Sequence, residues 1–127
     1  MLELEHISFE AEGEAGKKEI LRDISLKIDE RFVAITGPNG GGKSTLAKLI
    51  AGIATPSAGR ILFDGEDITS LSVTERARRG ISFAFQQPVR FKGLTVMDLL
   101  ELAAGRSLSE LELCDLLGKV GLCAQEY

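Results

Sequence analysis

Positive charge is in short supply in this sequence. Its 127 residues carry 15 Lys and Arg against 19 Asp and Glu, for a net charge of -4. A basic footprint is missing, so no nucleic-acid partner is expected. No apolar run approaches the ~20 residues that a bilayer-spanning helix needs. The opening Met1-Leu-Glu-Leu-Glu5 has neither the basic nor the apolar segment of a secretory leader. Histidine occurs once, at His6, with no Cys or second His nearby in sequence, and reads as a strand residue rather than a metal ligand. The two cysteines, Cys114 and Cys123, could form one disulfide, but read more simply as idle or buried thiols of a cytosolic protein. Internal repeats and low-complexity segments are absent. What remains, 44% hydrophobic and 27% charged, is ordinary for one globular domain with one core.

The informative stretch runs from Phe32 to Ile53. Phe32 to Thr36 is a short apolar run suited to a buried parallel strand. Gly37-Pro38-Asn39-Gly40-Gly41-Gly42-Lys43-Ser44-Thr45 follows and contains G-x-x-x-x-G-K-S, the phosphate-binding loop pattern. Leu46, Leu49, Ile50 and Ile53 then fall on one face of a helix. Glycines let the backbone approach an anion, and convergent N–H groups with the positive end of the helix dipole hold it. Lys43 is expected to reach the β- and γ-phosphates, Ser44 to ligate Mg²⁺, and Thr45 to lie near the α-phosphate. The alternative is a plain Gly-rich turn. The flanking strand and helix, and Lys and Ser at the required offsets, speak against it.

Along the rest of the chain, Leu2 to Phe9 reads as a strand whose alternation slips near Ile7. Ala11 to Lys18 reads as a long hairpin loop and Glu19 to Ile28 as a second strand. Asp29 to Arg31 is a turn, Ala54 to Gly59 a loop, Arg60 to Phe63 a third strand, and Asp64-Gly65 a turn. Ser72-Val-Thr-Glu75 fits a capping box opening a brief helix through Arg79. Its basic cluster Arg76, Arg78, Arg79 is expected on a solvated face. Gly80 to Phe85 reads as a strand ended by Pro88. Thr95 to Asp98 caps a helix with a face of Val96, Leu99, Leu100 and Ala103. Gly105 to Ser109 breaks it, and Leu113, Leu116, Leu117 and Val120 mark a last helix ended by Gly121. Leu122 to Tyr127 shows no clear element.

From Leu2 to about Leu122 the chain resembles the ATP-binding subunit of ABC-type ATPases. The segments that carry the likeness are Ile20-Leu-Arg-Asp-Ile-Ser-Leu26, the loop Gly37–Thr45 with Pro-Asn-Gly inside it, Ile50-Ala-Gly-Ile53, Pro56-Ser-Ala-Gly-Arg-Ile61, Phe63-Asp-Gly65 and Ile81-Ser-Phe-Ala-Phe-Gln86. Within the family, Ala84-Phe-Gln-Gln-Pro-Val89 looks like the Suf-type iron–sulfur assembly ATPase, though an ordinary transporter subunit could carry the same residues. The resemblance implies an α/β P-loop NTPase fold of ABC type. Residues 1-31 would be the N-terminal antiparallel β subdomain, 32-94 the nucleotide-binding core with the first part of its parallel sheet, and 95-127 the start of a helical subdomain.

It also implies Mg²⁺ with ATP as the ligand, held by Gly37 to Thr45. Ser44 and Gln86 would be at the metal, with Gln87 the competing choice for the second position. The implied partners are a second ATPase subunit, identical or related, and either a membrane permease or a cytosolic assembly scaffold. The location would be cytoplasmic, or peripheral on the inner face of the membrane.

Two departures stand out. The family's base-stacking aromatic falls here at Ala11, so either Phe9 or another group packs the adenine, or base recognition is loose. The family's Ser-Gly-Gly signature, its Asp-Glu pair after an apolar strand and its switch histidine do not occur before Tyr127. The chain is therefore expected to be incomplete, to leave the Phe32–Thr36 strand with an unpaired edge, and to bind nucleotide without hydrolysing it. The leading reading is a part of an ABC ATPase that, when complete, couples ATP binding and hydrolysis to a partner subunit. The competing readings are a nucleotide-binding module with no turnover in any assembly, a small P-loop kinase and a DNA-repair-type ABC ATPase. Two strands ahead of the loop, and Pro-Asn-Gly within it, disfavour the kinase. The acidic charge gives the DNA-repair reading no support.

Overall fold

The structure, a computed structural model, describes residues 1–13 and 16–122. They form two compact units, Met1–Ala84 and a second that begins at Phe85. In the first unit, β1 (Leu2–Gly13), β2 (Gly16–Ile28), β3 (Ala58–Phe63) and β4 (Glu66–Asp67) make a four-stranded sheet in the order β2-β1-β3-β4. Every pairing in it is antiparallel. Two helices join the sheet, α1 (Lys43–Ala51) and α2 (Val73–Arg78). Leu4, Ile7, Leu21, Ile61 and Ile68 pack with Leu46 and Leu49 of α1 as the core.

The slip in alternation near Ile7 is a bulge. Leu4 and Ile7 are both buried although three positions separate them, and a period of two would send Ile7 outward. The register shifts between these residues, and both His6, at φ +52°, and Asp23 on β2, at φ +49°, take left-handed backbone near it. The backbone N–H groups around the shifts turn to serine hydroxyls. His6 donates to Ser25 Oγ at 3.0 Å, Asp23 to Ser8 Oγ at 3.0 Å and Glu10 to Ser57 Oγ at 2.9 Å. Strand β3 closes so tightly on the bulge that a Cβ on Gly59 would lie 2.4 Å from the His6 carbonyl oxygen.

The long loop expected over Ala11–Lys18 is instead mostly ladder. Ala11 pairs with Lys18, Glu12 with Lys17 and Gly13 with Gly16, which confines the connection to the residues between the two glycines. Glu12 opposite Lys17, and the ion pair of Lys17 with Glu10 at 3.8 Å, favour the extension. The Asp64-Gly65 turn is present: both residues have positive φ, as a two-residue hairpin loop of type I′ requires.

Two expected strands are not in the sheet. Phe32–Thr36 is irregular, and Phe32 is 89% exposed. Residues 80–85 likewise have no place in the sheet. β-branched and aromatic composition marks where a strand would be favourable, but a strand forms only where a neighbour completes its ladder. Among the described residues no strand of the sheet lies alongside Phe32–Thr36. Helix α1 ends two residues before Ile53, which is left exposed rather than on the buried face.

Helix α2 opens on the expected capping box of Ser72 and Glu75. Its basic cluster is a correction. Arg79 pairs with Glu66 at the surface, but Arg76 is only 1% exposed. Arg78, two positions on, is turned about 200° away from Arg76 and is exposed, and Arg79 lies past the last helical residue as the C-cap.

The second unit contains α3 (Val96–Ala104) and α4 (Glu110–Lys119). Both have complete capping boxes, Thr95 with Asp98 and Ser109 with Glu112; the latter was not foreseen. Leu108 and Leu117 are buried, while Val120, expected on the α4 face, is 71% exposed beyond the helix end. Cys114 is exposed and unbridged. Cys123 lies outside the described residues, as does most of the segment in which no element was expected.

Candidate functional site

The phosphate-loop residues sit together at the head of α1. Gly41 N–H donates to the Pro38 carbonyl at 3.2 Å, closing a turn, and Leu46 N–H to the Gly42 carbonyl at 2.9 Å starts the helix. Gly42 is the N-cap with φ +81°, in the left-handed region that glycine favours. Its missing side chain has a second purpose. A Cβ there would lie 2.6 Å from Leu21 Cδ2 and 3.2 Å from the Ile20 carbonyl oxygen, so the loop rests directly on β2.

No side chain caps α1, and its first turn holds no acidic residue. The three other helices whose N-caps bond a backbone N–H, α2, α3 and α4, place a hydroxyl and a carboxylate there. The α1 terminus is thus a set of N–H donors at the positive end of a dipole with no internal anion. Lys43 Nζ donates to the Gly37 and Pro38 carbonyls, both at 2.6 Å. These two bonds fold the ammonium over the loop and use two of its three protons. Ser44 is exposed and Thr45 half-buried in the same turn. Such a terminus can hold phosphate oxygens, and a hydroxyl beside it suits a hard divalent cation. The residues present therefore fit a magnesium-bound nucleotide.

Gln86 and Gln87 belong to the second unit, exposed in a bend close to its start. Phe9 is half-buried against the core, opposite Leu21, and Ala11 is half-buried in β1 opposite Lys18. His6 Nδ1 lies 2.6 Å from Asp23 Oδ1 on the bulge.

The residue that sequence reasoning missed is Arg76. Its Nη1 donates to the carbonyls of Leu49 at 2.6 Å and Ile50 at 2.9 Å, both in the last turn of α1. Nη2 donates to the Thr69 carbonyl at 2.9 Å and Nε to the Leu71 carbonyl at 3.1 Å. Burial lowers the pKa of this guanidinium from its ordinary value. Among three nearby arginines no local signal singles out this one, because the acceptors are 26 and 27 positions away.

Comparison with known proteins agrees with this geometry. The chain is 49% identical over 90 residues to an uncharacterized ABC transporter ATP-binding protein of Methanocaldococcus jannaschii, covering 68% of this chain and 36% of that protein. It is 36% identical over 119 residues to the probable ATP-dependent transporter ycf16 of Cyanophora paradoxa, covering 91% of this chain and 44% of that protein. The chain thus spans less than half the length of these relatives. Among solved structures, a dimeric ATP-binding cassette in a post-hydrolysis state bound to ADP and Pi superposes with a TM-score of 0.74 at 28% identity. That match covers 88% of this chain and 52% of the other. Residues 21–126 match the sequence profile of the ABC transporter family, and the chain belongs to that family.

Proposed function

We propose that this chain is the nucleotide-binding part of an ABC-type system and binds ATP with Mg²⁺ through Gly37, Pro38, Asn39, Gly40, Gly41, Gly42, Lys43, Ser44 and Thr45. The observation that carries the reading is the head of α1, without a side-chain cap or an acid and with Lys43 folded over the loop. Backbone N–H groups take the phosphate oxygens, and the Lys43 ammonium answers the charge of the outer phosphates. Ser44 would hold the metal, which would supply charge neutralisation at the phosphates. Neither the loop nor the first turn of α1 contains a carboxylate to polarise water. These residues acting alone therefore bind nucleotide and do not turn it over.

In the working assembly a second ATPase subunit completes the site, and a membrane permease couples nucleotide binding to transport. The chain sits in the cytoplasm, against the inner face of the membrane through that partner. No helix among the described residues is long and apolar enough to cross a membrane.

The test is calorimetric titration of the 127-residue chain with ATP and with ADP, each with magnesium. Binding is expected, weakened at least about tenfold by Lys43→Ala, which removes a charge-assisted contact. Equal binding by the variant and the parent, or hydrolysis by the chain that Lys43→Ala abolishes, overturns the reading.

A further inference from the structure

Both ends of α1 are anchored, and by different means. At the head, Gly42 rests on Leu21 and Ile20 of β2. At the tail, the helix turns out of register on Gly52 at φ +83°. The Ile53 and Ala54 N–H groups then fold back on the Lys48 carbonyl, and the Gly52 N–H on that of Leu49. That leaves the Ile50 carbonyl unused and the Leu49 carbonyl with room for a second donor. Arg76 fills both places. It lies so close that a Cβ on Gly52 would be 3.0 Å from its Nε and 3.1 Å from its Cδ. The guanidinium therefore joins the tail of α1 to the Thr69–Leu71 segment, and among the described residues no carboxylate pairs with it. A buried cation here is matched only by carbonyls and by the negative end of the helix dipole.

We infer that Arg76 is a positioning residue for the nucleotide site: by holding the last turn of α1, it fixes where the first turn presents its N–H groups to phosphate. A nine-residue helix is too short to hold its own axis without tertiary support. If its tail is released, its head swings about the Gly42 contact. This inference rests on the proposed phosphate site for its functional consequence, but not for its structural one.

The experiment uses the 127-residue chain and three variants. Arg76→Met keeps the stem and removes every donor. Arg76→Lys keeps a cation but not the fork that reaches two carbonyls at once. Arg78→Ala changes an exposed neighbour. Two measurements are made on each: hydrogen exchange by segment, and titration with ADP and magnesium under conditions where the protein is folded by circular dichroism.

Arg76→Met is expected to speed exchange in 43–52 while β1 and β2 keep their protection, and to weaken ADP binding about tenfold, the loss expected for buried groups left unpaired. Arg76→Lys is expected to recover part of both, and Arg78→Ala to change neither. A merely structural role raises exchange equally through the whole first unit and leaves the affinity of the folded fraction within about twofold of the parent. That result overturns the inference. If Arg76→Met does not fold, Arg76→Lys decides by the same two criteria. If the parent chain binds no ADP, the phosphate-site reading fails by itself. Localised exchange in 43–52 then upholds the anchoring and its absence overturns it.

Discussion

Replacing Gly59 with alanine puts a carbon 2.4 Å from one backbone carbonyl oxygen and 2.5 Å from another, at a φ of +93°. Neither neighbour can rotate away, so Gly59→Ala is expected to cost more than about 2 kcal/mol. Gly42→Ala meets chiefly the end of the Leu21 side chain, which can move, at a left-handed φ of +81°. Its cost is expected to be about 1–2 kcal/mol in stability. Urea denaturation should therefore rank Gly59→Ala as the more destabilising. Titration with ADP should rank Gly42→Ala as the more damaging to binding, because it lifts the loop from its seat. At this scale, the gathering of Gly37 to Thr45 at the head of α1 was readable because it depends on spacing along the chain. Arg76 was not, because two of its four carbonyl partners come from a distant helix, and nothing local distinguishes it from Arg78 and Arg79.

Among the elements, α4 shows how a helix end responds to pH. Glu112 bonds Arg106 at 2.6 Å and accepts from the Ser109 N–H at 2.9 Å and from its hydroxyl at 3.0 Å. The Arg106 contact first, and the Ser109 donors next, lower the carboxyl from its ordinary 4.5 to about 2. The folded form thus favours the carboxylate, so its stabilising effect is complete above the ordinary value and is lost as pH falls from 4.5 to about 2. Circular dichroism, or amide chemical shifts of residues 109–113, should show α4 fraying over that window, and Glu112→Gln should remove the dependence. Ser109→Ala should cost about 1 kcal/mol, as the loss of a cap does. Strands β1, β2 and β3 were legible from their own apolar patterning, whereas the two-residue β4 was not foreseen because it is too short to carry a pattern. Phe32–Thr36 was misread as an element because its composition speaks of burial while its ladder depends on a neighbour that composition cannot supply. The extended hairpin was misread for the opposite reason, since its polar and glycine residues hid a continuing ladder.

On the scale of the whole molecule, the run before the phosphate loop leaves Phe32, Val33 and Ile35 exposed, at 89%, 43% and 45%. Exposed apolar surface of this kind favours association. Sedimentation velocity is expected to show a concentration-dependent increase in mass. Val33→Lys with Ile35→Lys should reduce it, and a parent chain that stays monomeric throughout would count against this. The surface itself is tied by ion pairs in water, Glu5 with Arg60, Glu66 with Arg79 and Arg106 with Glu112 among them. Added salt screens such pairs. Arg76 faces neutral carbonyls out of reach of counterions, so ionic strength has little to act on there. A titration with sodium chloride should therefore loosen the periphery of the fold and leave the footing of the nucleotide loop as it was.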